Sequence, residues 1–197
     1  MKGTLALPAP QPFTAIGLAA IALAALLNGA LFWPAHAAEQ TLQITLISLF
    51  LIGAIAVAGL KPIHLRHNLK IVVSTVPLYV AAVLLPPVVS ALVAGAGMLA
   101  LQLLTRYQRG NTPSDILTAT ARWALTGLLC AMIATAATML GMPLTLNLLG
   151  AALAMFACDI ILGALEIAPM SCDSPRRVML VVLQEAGLSE AAQYLIG

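Results

Sequence analysis

Apolar residues in this chain come in long runs separated by short polar knots. Residues 13–33 are apolar but for Thr14 and Asn28, and residues 42–60 but for Gln43, Thr45 and Ser48. Residues 71–104 carry no formal charge across 34 positions. Two further runs, 116–140 and 144–165, hold a single charged residue each, Arg122 and Asp159. A helix crosses the hydrocarbon core of a bilayer, about 30 Å thick, with about 20 apolar residues. The pattern therefore predicts an all-α integral membrane protein of about six transmembrane helices, the 71–104 run folding as a short hairpin at Pro86-Pro87. A membrane domain over 13–166 is expected to lie between an irregular lead-in, 1–12, and a cytoplasmic or interfacial helical segment, 167–197.

The polar knots punctuate these runs. Pro8, Pro10 and Pro12 keep the lead-in irregular. Trp33-Pro34 suits an interfacial exit. Ala35-His36-Ala37 matches a signal-cleavage pattern, but the run before it is longer than the usual h-region of about 7–15 residues, so an uncleaved first span is expected. The loop 34–41 holds Glu39 and no basic residue, so it reads as external. Each arm of the 71–104 hairpin has about 15–17 residues, or about 25 Å of helix, so the pair either spans tightly or turns back inside the membrane. Thr112 caps a helix that starts with Pro113, and Asp115 completes a capping box. Gly141-Met142-Pro143 predicts a tight turn. Ser174-Pro175 repeats the cap-then-proline signal before a short interfacial helix, 175–186, with Arg176 and Arg177 at its start. Gly187 ends that helix, and Ser189 caps another that leads towards a further span.

Charge placement orients the runs. The nine basic residues are Lys2, Lys61, Arg66, Lys70, Arg106, Arg109, Arg122, Arg176 and Arg177. All fall in segments that alternate runs place on one side, and basic residues are retained on the cytoplasmic face. The expected arrangement is multi-pass in a cytoplasmic membrane, with both termini cytoplasmic. Hydrophobic residues make up 61% and charged residues 8% of the chain, against about 25% charged in soluble domains. The net charge of +2 argues against a nucleic-acid partner. The lipid bilayer is the expected partner, with other protein chains or a downstream cytoplasmic domain.

Candidate chemistry is sparse. Asp159 is the acid hardest to place at a membrane edge, and such a group must be paired, protonated or wetted. Arg122, at similar depth on the preceding run, is its expected partner in an ion pair or switch. Glu166 reads as a solvated acid at the interface. His64 and His67 are three apart and could share a helix face, yet two histidines do not make a metal site. Cys130, Cys158 and Cys172 form no disulfide framework. Thr118, Thr120, Thr126, Thr135 and Thr138, with Asn28, Gln102 and Asn147, are read as hydrogen-bonding glue between helices or, less simply, as a pocket lining. Gly150, Ala154 and Cys158, and separately Ala91 and Gly95, form small-residue ladders suited to close helix packing. No hydrolase elbow, zinc-protease or phosphate-loop motif occurs, so neither catalysis nor a cofactor or metal is expected.

Two families share parts of this pattern. The stretch STVPLYVAAVLLPPVVSALVAGAGMLALQLLTRYQRGNTPSDILTATARWALTGLLCAMI, 74–133, resembles the N-terminal membrane sensory regions of bacterial signalling proteins that carry HD-type phosphodiesterase, GGDEF or histidine-kinase domains. The stretch from Asp159 through Pro175-Arg176-Arg177 continues the likeness. The resemblance implies a sensory or anchoring module whose catalysis lies in other domains. The chain also looks like the substrate-binding components of energy-coupling-factor vitamin transporters, which have six spans and small residues on the first, as in Ala20 and Ala24 here. An accessory integral subunit of a larger membrane complex is the third expectation.

Overall fold

Turn residues and caps fix where each helix begins and ends. A computed structural model describes residues 38–60, 63–66, 69–71, 74–171 and 174–185, with Gly17, Ala20, Ile21, Leu23, Ala24 and Leu27, which are helical. The helices are α1 (Ala38–Leu60), α2 (Thr75–Leu84), α3 (Pro87–Arg109), α4 (Pro113–Met139), α5 (Leu144–Ser171) and α6 (Pro175–Glu185). Between α1 and α2 a small antiparallel ribbon pairs β1 (Ile63–Arg66) with β2 (Leu69–Ile71), His64 lying opposite Lys70. The membrane-scale architecture is all-helical. Among the described residues four helices, α1, α3, α4 and α5, are long and apolar enough to cross a bilayer.

The expected start signals form as chemistry dictates. The Thr112 hydroxyl accepts from the Asp115 N–H at 3.3 Å, while the Asp115 carboxylate accepts from the Thr112 N–H at 2.9 Å. Pro113 then enters at the first helical position, where a missing N–H costs nothing. Gly110 ends α3 at φ 65° and Gly141 ends the α4 turn at φ 68°, conformations that burden any residue with a Cβ. The Ser174 hydroxyl accepts from the Arg177 N–H at 3.4 Å and starts α6.

Three boundaries differ from the sequence reading. Helix α1 begins at Ala38 and absorbs half of the expected 34–41 loop. Helix α5 runs to Ser171 rather than closing near 165. The 71–104 hairpin is lopsided, because α2 has 10 residues and α3 has 23. Pro87 opens α3 instead of merely breaking a run. With no further proline and no glycine in the left-handed conformation until Gly110, α3 then continues past Leu104. Ten residues make only about 15 Å of helix, half the hydrocarbon thickness. Of the first expected span, 13–33, all but six residues lie outside the described ones. Gly17 packs against α4, where a Cβ would stand 3.3 Å from that of Ala121.

Glycine contacts reveal the relative directions of the helices. A Cβ on Gly97 would fall 2.8 Å from Ile55, and one on Gly59 would meet Leu101. Both pairs advance together along the chain, so α1 and α3 run parallel. Helix α4 is antiparallel to α3, since Gly95 faces Ala124 and Gly127 faces Ala94 and Ser90. Helix α5 is antiparallel to α4, since Asn147 meets Thr138 at one end and Glu166 meets Arg122 towards the other. The C-termini of α1, α3 and α5 and the N-terminus of α4 therefore share one end of the bundle. Arg106, Arg109, Arg176 and Arg177 flank these termini, and Arg66 and Lys70 follow α1 in the ribbon.

The Pro86-Pro87 corner lies partway along the bundle, with Leu85 and Pro87 buried and Leu84 and Pro86 exposed. Ser90 donates to the carbonyl of Gly127 at 3.3 Å. Gly127 is twelve residues short of Met139, about 18 Å of helix, so the corner stops well before the α4–α5 turn. Lipid cannot satisfy freed backbone groups. Here the two prolines have no N–H to lose, Leu85 bonds back to the Ala81 carbonyl, and Ser90 N–H bonds the Pro86 carbonyl. The core around the corner joins Leu51 and Ile55 of α1, Leu78 and Ala81 of α2, Ala94 and Met98 of α3, Ala131 of α4 and Met155 of α5.

Candidate functional site

The most highly charged contact between helices is built on Arg122. Its position, nine residues after Pro113, faces α5. One guanidinium nitrogen, Nη2, binds the Asp159 carboxylate and lies 3.5 Å from the Asp159 carbonyl oxygen. The other, Nη1, donates to Glu166 at 2.8 Å. The side chains of Arg122, Asp159 and Glu166 are 19%, 12% and 21% exposed. The expected pairing of Arg122 with Asp159 is thus present, and Glu166 is a second partner rather than an isolated interface acid.

A glycine makes room for this contact. Asp159, Gly163 and Glu166 stand at i, i+4 and i+7, on one face of α5. A Cβ at Gly163 would lie 3.1 Å from Arg122 Nη2 and 3.3 Å from its Cζ. The guanidinium therefore lies across bare backbone, with an acid on either side. The Trp123 ring centroid is 5.4 Å from Arg122 Cζ, within cation–π range. Arg122 Nε has no hydrogen-bond partner among the described residues. Desolvating such charges is costly, and the arrangement offsets that cost only while the ion pairs and hydrogen bonds hold together. Chemically the cluster can hold, release or exchange charge between α4 and α5. Among the described residues no three His, Cys, Asp or Glu groups could share a metal ion.

The other candidates divide sharply. Ala91 is buried and Gly95 abuts Ala124 and Thr120, so this ladder does bring α3 against α4. The ladder on α5 makes no close contact at its first step among the described residues, since none of them lies within 4 Å of a Gly150 Cβ. Ala154 and Cys158 are only partly covered, and Ala151, Ala152 and Met155 carry the buried face instead. The Cys158 thiol approaches that of Cys130 across the α4–α5 seam, and both cysteines are free.

Of the five threonines only Thr138 is seen to join helices among the described residues, by accepting from Asn147 of α5. Thr118, Thr120, Thr126, Thr135 and Thr138 each donate to the carbonyl four residues earlier on α4 itself. Apolar surroundings favour this, since a hydroxyl on a helix can satisfy itself locally. Asn147 donates to Thr138 at 2.8 Å, and Gln102 accepts from Asn111 at 2.6 Å. Tyr79 supplies a second cross-helix bond, donating to the Leu148 carbonyl at 2.8 Å. His64 sits in a strand, which removes the shared helix face proposed with His67. His67, Cys172, Asn28, Lys2 and Lys61 lie outside the described residues.

Sequence reasoning missed Glu166 and Gly163. The available signal was the i, i+4, i+7 spacing from Asp159, which marks one helix face. No protein-family model matches the chain, and neither a curated protein nor a solved structure is detectably similar to it.

Proposed function

We propose that the chain is a membrane-embedded sensory or anchoring module of a bacterial signalling protein, with no catalysis of its own. In this reading the basic end of the bundle faces the cytoplasm, where a downstream domain or partner chain receives the signal. The Arg122 cluster is the bistable element. One observation carries the reading: a single partly buried cation is divided between two acids seven residues apart on the same helix. Neutralising or displacing either acid redistributes the cation and shifts α5 against α4. The transporter reading needs a polar ligand pocket, and it draws less support because the α4 threonines spend their hydroxyls on their own helix.

The test compares Asp159→Asn, Glu166→Gln and Gly163→Ala in the native gene product, purified from its own membrane with whatever cytoplasmic domain or partner accompanies it. A switch predicts at least a several-fold change in that partner's activity, with opposite directions for the two acid variants. Unaltered activity alongside a lowered melting temperature assigns the cluster to structure alone and refutes the switch. A fixed-stoichiometry membrane complex without any signalling domain favours the accessory-subunit reading.

A further inference from the structure

Helix α6 has six consecutive apolar residues, 178–183, in an 11-residue element. Only part of that surface is covered by protein. Val178 is buried, and Met179 is partly buried, against Ala164 and Ala168 near the end of α5. Leu180 is 55%, Val181 43% and Leu183 39% exposed. Arg176 and Arg177 at the first turn are exposed as well.

The position of α6 indicates what covers the rest. It packs on the last turns of a helix long enough to span a bilayer. Ile161 and Leu165 of α5 are themselves 50% and 40% exposed. The uncovered residues of α6 therefore extend an apolar surface that α5 already presents to lipid. The arginines lie at the end of the bundle that also carries Arg106 and Arg109. A short helix with apolar residues flanked by cations suits the boundary between headgroups and acyl chains. Anionic headgroups attract such cations, at about fivefold in affinity for each arginine near the surface.

We propose that α6 is a docking surface for anionic phospholipid, with Arg176 and Arg177 on the headgroups and Leu180, Val181 and Leu183 in the acyl boundary. Its occupant is the bilayer rather than a second copy of the chain. The full chain is placed in nanodiscs of phosphatidylcholine with or without phosphatidylglycerol, and retained lipid is read by native mass spectrometry. The parent protein should retain phosphatidylglycerol preferentially, and Arg176→Gln with Arg177→Gln should lower that preference about 25-fold, whereas Arg106→Gln, a single arginine at the same end, should lower it no more than about fivefold. A fluorophore on Leu183→Cys, with Cys130, Cys158 and Cys172 replaced by alanine, should be quenched by brominated acyl chains and not by aqueous iodide. Equal retention of the two lipids, or unchanged preference in the double arginine variant, overturns the proposal. So does iodide quenching at position 183, or protection there that rises with protein density, which assigns the surface to a second copy.

Discussion

Helix α4 meets α3 and α5 through opposite chemistries. Towards α3 it presents Ala124 and Gly127, and the backbones close on one another with little side chain between them. Towards α5 it presents Arg122, a long cation held by two acids. The first seam is cohesive because nothing protrudes. Association there rests on van der Waals packing and the Ser90–Gly127 bond, as expected where apolar burial gives no advantage over lipid. The second seam holds because a few groups depend on one another. A packed seam tolerates no added volume, and a charged seam tolerates no missing partner.

The largest expected effect breaks the charged seam. Arg122→Met leaves two carboxylates without their cation and should destabilise the protein by about 3–5 kcal/mol. Denaturant unfolding in detergent measures it. Adding Asp159→Asn and Glu166→Gln to Arg122→Met should recover most of the loss, and failure to recover would show that the arginine acts through packing instead. Next comes the packed seam. A Cβ at Gly127 would lie 3.0 Å from that of Ala94 and 3.3 Å from the Ser90 carbonyl oxygen. Gly127→Val should therefore cost about 1–3 kcal/mol, whereas Gly150→Ala, with no described atom within 4 Å of the added methyl, should change stability by less than about 0.5 kcal/mol. Similar losses at both glycines would dissolve the distinction between the seams.

Smaller effects sharpen it. Thr112→Ala removes the capping box and should cost about 1 kcal/mol, read as a lower unfolding midpoint, without altering either seam. Thr135→Ala removes a hydroxyl bonded only within α4 and should stay within about 0.5 kcal/mol. A loss beyond about 1 kcal/mol there would reveal a hydroxyl role across helices.

The two seams were not equally legible. Arg122 and Asp159 lie nineteen residues before and eighteen after Gly141. In an antiparallel pair, equal distances from the turn mean equal depth, so the partner of Asp159 could be named from spacing alone. Glu166 was harder, because it lies two turns beyond that level and is reached only by the length of the arginine fork. The Ala91–Gly95 ladder succeeded and the Gly150 ladder failed for one reason. Small residues permit a close approach, but which face meets a neighbour depends on helix rotation, which spacing does not encode. Capping residues were readable because their hydrogen bonds span three residues. The length of α2 was not, since an uncharged run of 34 residues holds no local mark for where helix begins after the ribbon.

A helix fastened at one point can still swivel about it. Helix α5 is fastened at Asp159 and again at Glu166, with the bare backbone of Gly163 between them. Two pins on a common line hold a rod against both rolling and sliding. At its other end the rod is tied by Asn147 to Thr138 and by Leu148 to Tyr79, so withdrawing one pin frees only the segment beyond the remaining ties.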